Sequence, residues 1–244
     1  MPDLTVVSIL VLAGFIHGAF GFGFPLVATP LLMLGLEPRT AILLTLVPTI
    51  CINLVSIAEE QHWRTALRRF WPIPVFTLVG SMLGTRLLLA VDPEPLRVLL
   101  ALVLIAYLVA DRFIGGDGPE HTIPKWGLAL LGLVMGMMAG VVNIFAPIVV
   151  VFALYTRMDP LLMVAAFNLS FVTSKSGQLT AFFANGAIDP DIMVLSLWAL
   201  PPVVLSLWLG IRLRKRIDPQ VYKGLLRYAL WAIAFLLICD WARG

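Results

Sequence analysis

Apolar runs of membrane-spanning length dominate this chain, and polar residues gather in the short gaps between them. In the first half the runs cover residues 4–34, 40–58, 70–91 and 96–113; in the second they cover 126–156, 161–184, 190–211 and 222–241. Several are close to the roughly 20 residues an α-helix needs to cross a bilayer. None shows the ten-residue alternation of an outer-membrane strand. The pattern predicts an all-α polytopic membrane protein with about eight hydrophobic segments. The first run of each half is too long for a simple span, about 45 Å if fully helical. In the first half it is interrupted by Gly18, Gly21, Gly23, Pro25 and Pro30. Such a run is either a tilted, kinked helix, giving eight crossings, or a re-entrant pair of half-helices, giving six crossings and two hairpins.

The halves repeat one another. Pro25 and Pro38 return as Pro147 and Pro160, and Gly14 and Gly18 as Gly136 and Gly140, each 122 residues later. Gly84-Thr-Arg86-Leu and Asp92-Pro93 return as Gly210-Ile-Arg212-Leu and Asp218-Pro219, 126 residues later. The turn-rich stretch IGGDGPEHTIP lies at the midpoint and reads as a linker. Residues 1–113 are thus a first transmembrane repeat, 114–124 a polar linker and 125–244 a second transmembrane repeat. In an apolar chain this duplication points towards a transporter, because two related halves can rock about a site held between them.

Composition agrees with the pattern: 60% of residues are hydrophobic and 13% charged, and the mean hydropathy is +0.98, outside the soluble globular range. The opening Met-Pro-Asp-Leu-Thr has no basic n-region, so the first run reads as structure rather than a cleaved signal. The net charge of +3 bears on topology and not on nucleic acid. Of the 17 cations, 16 remain once Lys175 inside its span is set aside; eight crossings divide them 10 to 6, and two hairpins divide them 12 to 4. Hairpins also put the loop of Arg64, Arg68 and Arg69 opposite its counterpart, which has Asp189 and Asp191 and no cation. The charges favour three crossings per repeat and therefore inverted repeats. Either arrangement leaves both termini outside.

Catalytic signatures are missing. His17, His62 and His121 lack metal-ligand spacing, Cys51 and Cys239 make no disulfide framework, and there is neither a Walker loop nor a nucleophile elbow. No enzyme activity, cofactor or metal is expected. Ser174 and Lys175 are neighbours and cannot face one another on a helix, which leaves an intramembrane hydrolase as a remote alternative.

The residues that stand out are polar ones inside apolar runs. Lys175 lies near the middle of AAFNLSFVTSKSGQLTAFF with no acid in the same run. A cation at that depth costs at least ~2.5–3.5 kcal/mol on insertion scales. Asn168, Lys175 and Gln178 fall on one helical face, as the wall of an anion site would; a lysine snorkelling to the interface is the alternative. The repeat partner of Lys175 is Asn53, and that of Gln178 is Ser56. Around the first break, Gly21, Gly23 and Pro25 would free backbone N–H groups suited to an anion, or would serve close helix packing alone. In the second half Asn143 takes the place of Gly21, ahead of Pro147. His17 and Thr45 are weaker candidates; a lone intramembrane histidine is either a packing residue or a proton carrier.

The string G-x-x-x-G-x-x-G-x-G-x-P at Gly14–Pro25, the doubled Gly-x-Arg-Leu segments and the Asp-Pro pairs that follow them resemble the TauE/SafE family of membrane transporters over essentially the whole chain. The resemblance implies export, or less often uptake, of small sulfur-containing anions such as sulfite, sulfoacetate or organosulfonates across the bacterial inner membrane. Asn143, Ile144 and Phe145 depart from it, standing where that family often has glycines. The expectation is a multi-pass secondary transporter of small anions with a mid-membrane site between the repeats, its partners being the substrate and the lipid bilayer, with a homo-oligomer left open. A channel and a non-transporting membrane scaffold are the alternatives.

Overall fold

The computed structural model describes residues 4–59, 62–92, 94–113, 122–145, 148, 152, 155, 156, 158–214, 231 and 235. Among the described residues the regular elements are helices and no strand occurs. The first apolar run is divided into α1 (Leu4–Phe20) and α2 (Phe24–Met33). After them come α3 (Pro38–Glu59), α4 (Trp63–Phe70), α5 (Pro72–Ala90) and α6 (Glu94–Phe113). The second half supplies α7 (Lys125–Val142), α8 (Pro160–Ala184), α9 (Pro190–Trp198) and α10 (Leu200–Arg214). Pro147, most of the 114–124 linker and most of the run at 222–241 lie outside the described residues.

Helices α3, α5 and α7 are each long and apolar enough to cross a bilayer, and α9 with α10 makes a fourth such unit, bent by 41°. That bend interrupts a run expected to be continuous. Pro201 and Pro202 each lack a backbone N–H and crowd the preceding turn, and the break falls just before them at Ala199. The stretch with Arg64, Arg68 and Arg69, expected as a loop, is helical: α4 buries Ala66 and Phe70 and exposes its arginines. Its apolar residues are too few for a run, but they share one face. Trp126, Phe183 and Trp198 are about three-quarters exposed, a surface suited to lipid and not to water.

Glycines set how the helices meet. Helix α1 packs along α10 and α7 along α5. In the first pair Gly14 faces Val203 and Ser206, while Gly18 faces Leu207 and Ile211. In the second Gly136 faces Thr77 and Gly80, while Gly140 faces Gly84 and Thr85. Residue numbers rise together in both pairs, so both are parallel. A Cβ on Gly18 would sit 2.0 Å from the Leu207 carbonyl oxygen, and one on Gly140 2.6 Å from the Thr85 nitrogen. Only glycine permits so close a backbone approach, in which dispersion contacts replace the hydrophobic drive that lipid cannot supply.

Two further contacts orient the centre. Arg39 donates to the carbonyls of Leu88, Leu89 and Val91, capping the C-terminus of α5 with the start of α3, so these helices are antiparallel. Helix α3 also packs along α8. At one level Asn143 joins Thr45 of α3 to Lys175 of α8. At another, Ser56 of α3 meets His17, and Gly21, one turn after His17, abuts Val164 of α8. The order along α3 is opposite to that along α8, so these two helices are antiparallel as well.

Candidate functional site

The second break is a left-handed turn built on asparagine. Asn143 has φ 66°, and Gly21, its counterpart in the first half, has φ 83°. Both positions need a conformation that most side chains resist, and asparagine is the non-glycine residue that tolerates it best. The substitution keeps the turn and adds an amide. Asn143 Nδ2 donates to Thr29 Oγ1 at 2.6 Å and to Thr45 Oγ1 at 2.8 Å. Its Oδ1 accepts from Lys175 Nζ, which also donates to Gln178 Oε1. Gln178 Nε2 in turn donates to the Ala139 carbonyl at 2.9 Å. Lys175, Asn143, Gln178, Thr29 and Thr45 are all fully buried. Both acceptors of Lys175 are neutral amides, and an ammonium has three protons to donate. As an ammonium the group has one N–H beyond these two bonds, and among the described residues no carboxylate forms an ion pair with this lysine.

The first break has a different chemistry. His17 Nδ1 accepts from the backbone N–H of Phe24 at 3.4 Å, and its Nε2 lies 3.1 Å from Ser56 Oγ. Its carbonyl accepts from Gly21 N at 2.7 Å. Helix α2 restarts without a side-chain cap from Gly23, so His17 reaches across the break to satisfy one of its first N–H groups. Pro25 lies in the first turn of α2, where its missing N–H is tolerated. A Cβ on Gly23 (φ 109°) would meet no atom within 4 Å, whereas one on Gly21 would lie 3.1 Å from an Arg214 guanidinium nitrogen.

Between the breaks lie the two asparagines. Asn53 on α3 donates through Nδ2 to the Thr49 carbonyl at 2.7 Å, and its Oδ1 has no partner. Asn168 on α8 has no partner for either Oδ1 or Nδ2. Both residues are fully buried. An aromatic column runs along α8. Phe22 from the first break stacks on Phe167 at 5.0 Å, and Phe145 from the second packs against Phe171 at 4.2 Å.

The structure thus groups Lys175, Asn143 and Gln178 directly, with Thr45 and Thr29. It gathers His17 and Ser56 separately at the first break, and sets Asn53 and Asn168 apart from both by their partners. Thr29 and the phenylalanine column escape sequence reading. A threonine and four phenylalanines in apolar runs carry no local signal, although Phe22 and Phe145 each sit at a break.

Polar groups buried inside helices whose outer surface is apolar place the chain among α-helical membrane proteins. The model of the sulfite exporter TauE/SafE family matches residues 6–237, nearly the whole chain, and the protein belongs to that family. It is a family of membrane transporters. No curated protein and no solved structure matches the chain.

Proposed function

We propose that the protein is a secondary transporter that exports small anions, sulfite or organosulfonates, across the bacterial inner membrane. Its anion site is Lys175 with Asn143 and Gln178. The observation that carries this reading is the buried Lys175, held by two neutral amides with one donor left over. Burying an ammonium without a counter-charge is costly, and a transported anion supplies that charge transiently. The family's description as sulfite exporters supports both the substrate class and the direction.

The working unit in this reading is a pair of inverted repeats, residues 1–113 and 125–244, joined by the 114–124 linker. Three observations support it: the glycine contacts recur at equivalent positions of the two halves; each first helix packs on the third helix of the other half; and α3 and α8, second in their halves, are antiparallel. Helix α1 then points the same way as α3, so α2 must return, and the first run is re-entrant. Alternating access follows from one half rocking against the other about the interface of α3 with α8.

Thermal unfolding of the detergent-purified protein, with and without sulfite, isethionate, sulfate or acetate, tests the site. A ligand at about 100 times its dissociation constant adds about 2.7 kcal/mol to the native state. The expected result is a shift with the sulfur oxyanions that vanishes in a folded Lys175→Met protein. An equal shift in both proteins removes Lys175 from the site.

A further inference from the structure

We infer that Asn53 and Asn168 form a second subsite for the same cargo, one that prefers a hydrogen-bond donor to the anionic head. The inference rests on Lys175 being the anion site. Among the described residues, the buried side-chain atoms without a partner are Asn53 Oδ1, both polar atoms of Asn168, and Thr85 Oγ1. Three of these four belong to two residues on helices packed against each other. Orphaned amides inside a membrane are expensive, because no water stands by to satisfy them.

The helix register brings these groups to one level. Asn143 joins Thr45 to Lys175, and α3 runs antiparallel to α8. Eight residues beyond Thr45 is Asn53, and seven before Lys175 is Asn168. At about 1.5 Å per residue both lie roughly 10–12 Å from the lysine level, towards the first break. Asn168 shares the helical face of Lys175, two turns away.

The vacant atoms define what fits there. The Nδ2 of Asn53 is committed to the Thr49 carbonyl, so its unpaired atom is an acceptor and cannot be exchanged by turning the amide over. Asn168 adds a second acceptor and a donor. A sulfonate or carboxylate carries acceptors only: it could take the Asn168 donor but would set its charge against the fixed Asn53 oxygen. A hydroxyl would donate to the Asn53 oxygen and accept from the Asn168 amide, and an ammonium would donate to both oxygens. The separation from Lys175 matches a sulfonate on a two-carbon chain ending in a donor, with hydrogen bonds of about 2.8 Å added at each end. The favoured cargo is therefore a short sulfonate with a hydroxyl or amino group at its far end; the subsite adds nothing for bare sulfite and disfavours a carboxylate-ended sulfonate.

Three probes decide it on the purified full-length protein: isethionate (2-hydroxyethanesulfonate), propane-1-sulfonate, which replaces the hydroxyl by a methyl, and sulfoacetate, which replaces it by a carboxylate. Binding is measured by calorimetry on wild type, Asn53→Leu, Asn168→Leu and Lys175→Met. Wild type is expected to bind isethionate about ten-fold or more tightly than either of the other two. Each leucine variant should lose that preference while keeping its affinity for propane-1-sulfonate. Equal, Lys175-dependent affinities for isethionate and propane-1-sulfonate in wild type would overturn the subsite, leave the anion site standing, and mean that ordered water alone occupies the asparagines. A preference that survives in both leucine variants also overturns it. Binding of none of the three, or binding unchanged in Lys175→Met, overturns the anion site and the subsite with it.

Discussion

Asn143 has two separable duties, a left-handed turn and an amide that ties Lys175 to Thr29 and Thr45. Asn143→Gly keeps the turn and removes the amide, leaving buried partners unpaired, at a cost of about 1–3 kcal/mol. Asn143→Ala also forces a Cβ residue into the left-handed region, adding about 1–2 kcal/mol. Thermal unfolding in detergent should rank wild type above glycine and glycine above alanine; equal stabilities of the two variants would show that the turn is not held left-handed. His17 invites a second substitution. Asn is too short to keep both the Phe24 N–H and Ser56 bonds, so His17→Asn should loosen the first break. Faster amide exchange at the start of α2 would register this, and unchanged exchange would count against the cap. Lys175 stood out in the sequence because a lone cation in an apolar run is a local anomaly, and the structure buries it among polar side chains. Its partner Asn143 lies 32 residues away and was flagged only through the repeat alignment.

At the scale of elements, glycine spacing decides which helices touch. Gly18→Ala and Gly140→Ala each push a Cβ into backbone of the neighbouring helix, and overpacking of that kind costs about 1–3 kcal/mol. Gly35→Ala meets nothing within 4 Å and serves as the control. A drop in melting temperature for the first two and none for the third is expected; three equal values would sink the claim that these glycines set the interfaces. Sequence reading found the small-residue spacing, but it could not assign partners. The match of α1 with α10, and of α7 with α5, depends on chain segments that meet only when the halves interleave. The break of α1 from α2 was readable, because glycine and proline act on their own backbone. The helix α4 was not, since its charged residues mask a single buried face.

For the whole molecule, the proposed inverted arrangement makes a sharp statement about sides. With Cys51 and Cys239 replaced by serine, cysteines at Arg64 and Asp117 should label only from the cytoplasm, and one at Asp191 only from outside. Labelling of Arg64→Cys and Asp191→Cys from the same side would favour eight simple crossings and overturn the re-entrant hairpin. The two breaks also contact α3 at different levels, Thr45 and Ser56, about 16 Å apart along its axis. The polar residues expected to line a mid-membrane site are thus spread along α3 and α8, with the asparagines between the two breaks.

Hydropathy, glycine and proline act over a few residues, and so the sequence by itself determined the helical membrane class, the positions of the breaks and the oddity of Lys175. Nothing local says which buried polar group faces which. Antiparallel packing of α3 on α8 placed Asn53 level with Asn168, brought Asn143 to Lys175, and stacked Phe22 and Phe145 on one helix. Those relations rest on distances between residues far apart in the chain, and only the folded structure fixes such distances.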